Sequence, residues 1–550
     1  MNTYLAITIG PIYRTMSKAR KTRELWSASF SFSLLMKCLI DEFEKYGELL
    51  SPSVKVKLPL HGAGVYPDRC FYLIKKNLTA QEISEAKNKA IIEFKKLTAY
   101  EIEAIPYFQI YIVQKLLNKN PIQQLNQILD GLELSNKYFS KSPFNIDEYW
   151  LDSGFFQKLY MQGYGKDNIL PSIKVKYRDG RSKIINRFKS IPEIASTELQ
   201  VNDPVKYWKS LGIQFIRTAT GEINFEQIAQ DKEDDQNQDE IINKLKTAFG
   251  DDFKFRHKYF TIIQADGDNV GSLIREIESK NGCIMDFSNA LNDFVTSAAT
   301  EIVKYGAFPI YLGGDDLLFF APLTNETYEG LSVDFSSYFP EIDSQNNFNI
   351  KGDNVFFLMT ILNNLFKGKL APIVSQFMPD KQVSLSFGLS VGYYKKPMNE
   401  ILSESYDLLF HKAKKQACKN YIALKLEKHS GQSFDFGFTQ NTRLYYHFLK
   451  LTTESKNKDE NFLNSVMFKI NNQKEVIINI VEDTEKLKCF FNENFNESNH
   501  ANYKQFFREV SLIIFETFQW FKHESEDQKM SRIYSSLRFI QFLNSKDSHE

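Results

Sequence analysis

The sequence predicts an α+β protein with two sheets that each carry helices on one face, an intervening region, and a helical C-terminal part. Three observations predict it. Residues 259–420 read strand, helix, hairpin, helix, strand, helix. Residues 4–133 repeat a similar order more weakly. Beyond about residue 430 the apolar spacing is mostly helical, as in "LIIFETFQWFKH" at 512–523.

The later unit is the clearer one. "YFTIIQADGDNVGSL" (259–273) is an apolar run ending in Asp and Gly, as a buried strand entering a turn should. "DFSNALNDFVTSAATEIVKYG" (286–306) is helical and closes on Gly306 as a C-cap. "AFPIYLGGDDLLFFAPL" (307–323) has two apolar runs around Gly313-Gly314-Asp315-Asp316, a hairpin signature. A helical stretch covers 354–368, and "QVSLSFGLSVGYY" (382–394) alternates as a strand. "KKPMNEILSESYDLLFHKAKKQ" (395–416) opens a last helix with Pro397 near its start. This order fits a ferredoxin-like palm, a four-stranded antiparallel sheet with helices on one face.

The earlier unit starts with "YLAITIGPI" (4–12), a strand, and a long helical stretch over 19–47. "VKVKLPLHGAGVYPDRCFYLIKK" (54–76) reads as two strands around Gly and Pro. A helix over 80–97, a strand, Asn-Pro and a helix within 105–133 complete a second palm, one without the paired carboxylates. The expected division is palm 1 over 1–140, a mixed helical and loop region over 141–250, a catalytic palm over 251–430, and a helical domain over 431–550. The intervening region holds the helical "SIPEIASTELQ" (190–200) and an acidic surface loop, "DKEDDQNQDE" (231–240).

Composition narrows the class. Lys+Arg and Asp+Glu are 68 each, so any nucleic-acid contact must come from a local patch. Lys18, Arg20, Lys21 and Arg23 are such a patch, or equally a solvated helix face. The cysteines, Cys38, Cys70, Cys283, Cys418 and Cys489, are too scattered for a zinc knuckle, and isolated thiols fit a reducing cytoplasm. The N-terminus reads as a strand rather than a signal peptide, and no run of 18 apolar residues occurs. No membrane partner is expected.

The palm order gives the acidic residues a chemistry. A nucleotide-transferring palm holds two Mg²⁺ (or Mn²⁺) ions on carboxylates from neighbouring strands. Asp266, at the end of the first palm strand, and Asp315 with Asp316, in the hairpin, are the candidate metal ligands and catalytic residues. Gly267, Gly271, Gly313 and Gly314 would let backbone approach phosphate and metal, and Asp268 would bind nucleotide or metal, or cap the next turn. Taken alone, Gly313-Gly314-Asp315-Asp316 is equally a solvent-facing type I′ turn. Two acidic motifs on the expected strands of one palm favour the metal site. Lys412, Lys414, Lys415 and Lys419 would meet a triphosphate, or simply complement a helix C-terminus.

"GPIYRTMSKARKTRELWSASFSFSLL", "SIPEIASTEL", "ADGDNVG", "YLGGDDLLFFAP" and "LSFGLSVGYYKKPMNEILSESYDLLFHKAKKQACKN" together resemble the large subunit of type III-B CRISPR effector complexes, the Cas-ten or Cmr-two family. The resemblance spans roughly residues 4–430. It implies two packed palms with ATP between them, and synthesis of an adenylate second messenger once target RNA joins the guide-loaded complex. It makes Asp266, Asp315 and Asp316 metal ligands, Lys419 a phosphate contact, and Gly313 and Gly314 parts of the nucleotide pocket. Guide RNA, target RNA and sister Cmr-type subunits are the implied partners, in antiviral defence. Two departures stand out. The chain has no His-Asp dipeptide, so the form expected is one without the nuclease domain many members carry. The cysteine spacing excludes the four-cysteine zinc site of many members.

The palm repeat adds one expectation. If "VYPDRCFYLI" (65–74) takes the place of the acidic hairpin in palm 1, Asp68 and Arg69 face the shared cleft and contact the acceptor nucleotide; otherwise they are a surface turn. Asp147 and Glu148 in "FNIDEYW" (144–150) are a weaker candidate of the same kind, set against a plain loop. The expected activity is adenylyl transfer from ATP with release of pyrophosphate, giving a cyclic oligoadenylate. The alternative acceptor is S-adenosylmethionine, whose cationic sulfonium and amino-acid tail suit carboxylates such as Asp68 or Glu148. A non-catalytic RNA-binding scaffold and a free-standing cyclic dinucleotide synthase are the rival classes.

Overall fold

A computed structural model describes residues 2–53, 60–98, 108–134, 189–211, 238–339, 348–456, 460–495 and 503–545, with four short strands between 172 and 224. Asp147 and Glu148 lie outside the described residues.

Palm 1 is a four-stranded antiparallel sheet of β1 (Asn2–Gly10), β2 (Gly47–Ser51), β3 (Arg69–Ile74) and β4 (Gln109–Leu117), ordered β2-β3-β1-β4. This is the ferredoxin-like order. One strand differs from expectation: β2 is "GELLS", directly after the long helix, not part of 54–59. Its apolar content is only Leu49 and Leu50, too little for a periodic signal. The helix Thr22–Phe43 is buried on nearly every side. Small serines allow this, and Ser29 and Ser33 find backbone partners outside the helix. Ser33 Oγ accepts from the Val65 and Tyr66 amides at 2.9 and 2.7 Å.

Between the palms, β5 (Ser172–Lys176) pairs with β6 (Ser182–Asn186), and β7 (Ile216–Arg217) with β8 (Ile223–Asn224). The helices Ile191–Ala195 and Thr197–Asn202 then pack into the second palm. Glu198 is fully buried there. It accepts from Arg256 at 3.1 Å, lies 3.0 Å from His257 Nε2, and accepts from Thr324 Oγ1 at 2.9 Å.

Palm 2 contains β9 (Tyr259–Asp268), β10 (Phe308–Gly313) and β11 (Asp316–Ala321), then a small excursion of β12 (Val333–Asp334) and β13 (Asn349–Ile350). β14 (Ser384–Tyr393), β15 (Tyr421–Glu427) and β16 (Ser433–Thr439) complete it, in the order β10-β11-β9-β14-β15-β16. The expected four-stranded palm is thus extended to six strands, and its sheet runs past residue 430. β15 lies parallel to β14, reached through the helix Met398–Asp407 and a π-helical turn over Leu408–Ala413. β16 folds back on β15 around Gly431, at φ +83°. The alternating "SFDFGFT" carried that signal. The helices Ile284–Lys304 and Val355–Phe377 cover the other face of the palm, where Phe294 and Phe366 meet edge to face at 5.0 Å.

Among the described residues, six helices between Arg443 and Asn544 form the C-terminal part. The last one packs on β16 and ties to the palm entry through Arg256 Nη1 and the Leu543 carbonyl, 2.8 Å apart. No helix among the described residues is long and apolar enough to cross a membrane.

The two palms meet along edge strand β10. Leu312 N donates to the Gly64 carbonyl at 2.9 Å, and Gly64 N to the Ile310 carbonyl at 3.3 Å. Glu278 of palm 2 accepts from the Ile122 amide, at the start of the helix Pro121–Leu134, at 2.6 Å.

Candidate active site

Alternate residues of a strand share a face, so Gln264, Asp266 and Asp268 project from one side of β9. Leu317 pairs with Ala265, which brings Asp316 beside Asp266 on the neighbouring strand. The carboxyls of Asp266 and Asp316 stand within hydrogen-bonding reach. The loop between β10 and β11 is Gly314-Asp315, and of these two only Gly314 has a positive φ, +66°. A type I′ turn needs both, so the solvent-facing type I′ reading does not hold. Asp315 instead folds its carboxylate over β9, against Gly267. A Cβ at Gly267 would lie 2.6 Å from Asp315 Oδ2, so glycine is required there for the two motifs to touch.

Three carboxylates this close repel one another. Burial, then the Asp266 charge, pushes the Asp315 pKa up to about 7. Burial, then Asp315 and Asp266, holds Asp316 far above the ordinary carboxylate range. Asp316, at the start of β11, is exposed to solvent at the wall of the cleft.

One cation already answers this charge. Lys414 Nζ donates to the backbone oxygens of Asp266 and Gly267 at 2.9 and 2.7 Å and to Asp268 Oδ1 at 3.0 Å, and it pairs with the Asp266 carboxylate. Asp268 is turned inward and fully buried. Its Oδ2 accepts from Ser384 Oγ, Ser386 Oγ and the Asn420 amide at 2.7, 2.8 and 2.9 Å. The expectation that Asp268 contacts nucleotide or metal is corrected. It is the buried hub that joins β9, β14 and the Lys414 loop, because its acceptor sites are taken by protein.

A cavity of about 530 Å³ lies between the palms. Asp316, Gln264, Tyr311, Tyr406 and Phe410 line it from palm 2; Tyr13, Asp68 and Glu133 line it from palm 1. Asp68 thus faces the shared space. Burial raises its pKa, Arg69 opposes this, and Glu133 adds to it. Arg69 does not follow Asp68. Its guanidinium turns to Asp130 and Glu133, at 2.7 and 2.9 Å, and to Asn126.

Residues 259–423 match the family described as Cas10/Cmr2, second palm domain, and residues 4–101 match CRISPR-associated protein Cmr2, N-terminal. The chain thus carries a Cas10/Cmr2-type second palm domain and a Cmr2-type N-terminal domain. Its fold is similar to a chain of the type III-B Cmr-beta complex in the apo state, with a TM-score of 0.51 at 12% identity, covering 99% of this chain and 82% of that one. The same complex bound to cognate target RNA gives a TM-score of 0.52 at 12% identity, covering 99% and 83%. At such identity the likeness is one of fold. No curated protein matches the chain.

The Cas10/Cmr2 palm implies divalent metal. All the available donors are carboxylate oxygens, which suits Mg²⁺ or Mn²⁺, and the surplus negative charge is what such an ion relieves. Among the described residues no three His, Cys, Asp or Glu side chains stand ready-made around a metal position. The Lys414 ammonium pairs with Asp266 in the same place. Sequence reasoning preferred Lys419. The structure puts Lys419 at the turn after the π-helix, at φ +48°, where its amide donates to the Gln416 carbonyl at 3.0 Å. Gly313 packs under the Tyr311 ring, and Gly271 has open space around it. Glu133, Tyr13 and Gln264 were missed, since nothing local marks a residue that faces a cavity between two domains.

Proposed function

We propose that this chain is a divalent-metal-dependent nucleotidyltransferase of a type III CRISPR effector. It moves AMP from ATP to a ribose hydroxyl, pyrophosphate leaves, and the product is a cyclic oligoadenylate. One observation carries the reading: Asp266, Asp315 and Asp316 converge from neighbouring strands, and Asp316 lines a nucleotide-sized cavity.

Asp266, Asp315 and Asp316 would hold the metal. Bound Mg²⁺ supplies positive charge to the phosphates and acidifies the attacking hydroxyl. The chain does the positioning. The helix Val270–Ser279 starts right after Asp268, and its first amides offer donors to phosphate oxygens. Lys414 adds positive charge beside them. Asp68 and Tyr13 bring palm 1 to the acceptor. The reaction is then mostly alignment and charge stabilisation, without a covalent intermediate.

The family and the fold likeness to the Cmr-beta complex support work within a multi-subunit assembly with guide and target RNA, in the cytoplasm. A second acceptor has its own support. Asp68, Glu133 and Asp316 make the cavity acidic, which favours an acceptor with a cationic group, such as S-adenosylmethionine.

The test is mass spectrometry of products formed by the assembled, target-RNA-bound complex from ATP, with and without S-adenosylmethionine. Asp315→Ala with Asp316→Ala should abolish every product and leave RNA binding intact. Products that survive the double substitution would defeat the assignment and favour a scaffold role.

A further inference from the structure

The inter-palm cavity carries one polar group that phosphate chemistry does not use. Gln264 stands on β9 two residues before Asp266 and on the same face. Its Nε2 donates to the Leu402 carbonyl at 3.2 Å and to Ser405 Oγ at 2.9 Å. Ser405 Oγ itself donates to the Leu402 carbonyl at 2.8 Å, so its one proton is committed. The Leu402 carbonyl can only accept. Rotating the amide end for end would set Gln264 Oε1 against that carbonyl oxygen and take the Ser405 proton from it. The orientation is fixed by the network, and Oε1 is the free end.

No described residue donates to Oε1, and it is not among the buried atoms left without a partner. Gln264 lines the cavity, so this acceptor is open to whatever fills it. The wall beside it is aromatic. Tyr406 and Phe410 lie 4.5 Å apart between ring centres, and Tyr13 of palm 1 lies 4.4 Å from Tyr406. About 530 Å³ suits one nucleoside, and aromatic faces suit a base. Asp316 lines the same space, so a base held here sits within one nucleotide's reach of the reacting groups.

We propose that Gln264 is the specificity residue of this site: its Oε1 accepts from the 6-amino group of adenine and rejects the 6-oxo group of guanine. This rests on the nucleotide-transfer reading above and adds the residue that makes the site choose ATP. A 6-oxo purine would set two acceptors face to face and leave both unsatisfied, an arrangement that costs more than a missing contact.

The test is equilibrium binding to the full chain, with Mg²⁺ present, of ATP, GTP and purine riboside triphosphate, which is ATP without its amino group. The natural chain should bind purine riboside triphosphate about tenfold more weakly than ATP, and GTP more weakly again. In Gln264→Met, checked for folding by thermal melting, ATP and purine riboside triphosphate should bind alike. Equal binding of those two to the natural chain overturns the assignment and needs no variant to fold. An unchanged preference in Gln264→Met also overturns it and leaves the nucleotide reading standing. Failure of all three to bind overturns the nucleotide reading itself, and Gln264 with it.

Discussion

Lys414 holds Asp266 from two directions, by an ion pair to its carboxylate and by a 2.9 Å hydrogen bond to its backbone oxygen. The same ammonium reaches Gly267 O and Asp268 Oδ1. It is a tethered cation in the middle of an acidic cluster. A divalent ion on Asp266 therefore competes with a charge already present.

Removing that charge should show both effects. Lys414→Met should lose about 1–3 kcal/mol of stability without metal, because Asp266 and Asp268 lose a buried charged partner. Mg²⁺ should then raise its melting temperature more than it raises that of the natural chain. Thermal melts with and without Mg²⁺ measure this, and equal Mg²⁺ shifts would show that Lys414 and metal do not compete.

Metal binding should depend on pH through Asp315. Its pKa is raised to about 7, above the ordinary value for an unfolded chain. On this account the metal-free fold is favoured at low pH and loses stability as pH rises through 7. A bound proton competes with a cation, so the Asp315 carboxyl alone should raise Mn²⁺ affinity about tenfold from pH 6 to pH 8. Paramagnetic resonance of free Mn²⁺ reads this directly. Asp315→Asn should flatten the profile.

Glu198 should set the acid limit of the fold. Burial works to raise its pKa, but the His257 hydrogen bond and the Arg256 and His257 charges outweigh burial and hold it well below the usual range. Its folded pKa is depressed, so its contribution is complete above the unfolded value of about 4.3 and is lost as pH falls below that. Glu198→Gln leaves buried Arg256 with only the exposed Glu326 as a charge partner and should cost about 3 kcal/mol. Its melting temperature should then vary less with pH in the acid range than that of the natural chain.

Much of the site was legible from spacing. The run ending at Asp266 and the paired runs around Asp315-Asp316 identified three strands, and hairpin logic placed them side by side. Asp68 was reached through the palm repeat, and it lines the cavity. The errors share a cause. Asp268 was grouped with Asp266 because both are acidic and lie on one face, but Ser384, Ser386 and Asn420 come from distant strands and loops to claim it. Lys414 lies 148 residues from Asp266, and only the crossing of the π-helical turn over the sheet selects it among four lysines.

The sequence by itself determined the order of elements, the two palms, and which carboxylates would stand on adjacent strands. These follow from local periodicity and turn chemistry, which act over a few residues. Tertiary structure alone decided which acid faces inward, which lysine neutralises the site, how far the sheet extends, and which groups line the cavity. Those outcomes depend on packing between segments far apart in the chain. The Gln264 amide shows the difference: its sequence neighbours say strand, while Leu402 and Ser405, well over a hundred residues away, fix which end of it meets the ligand.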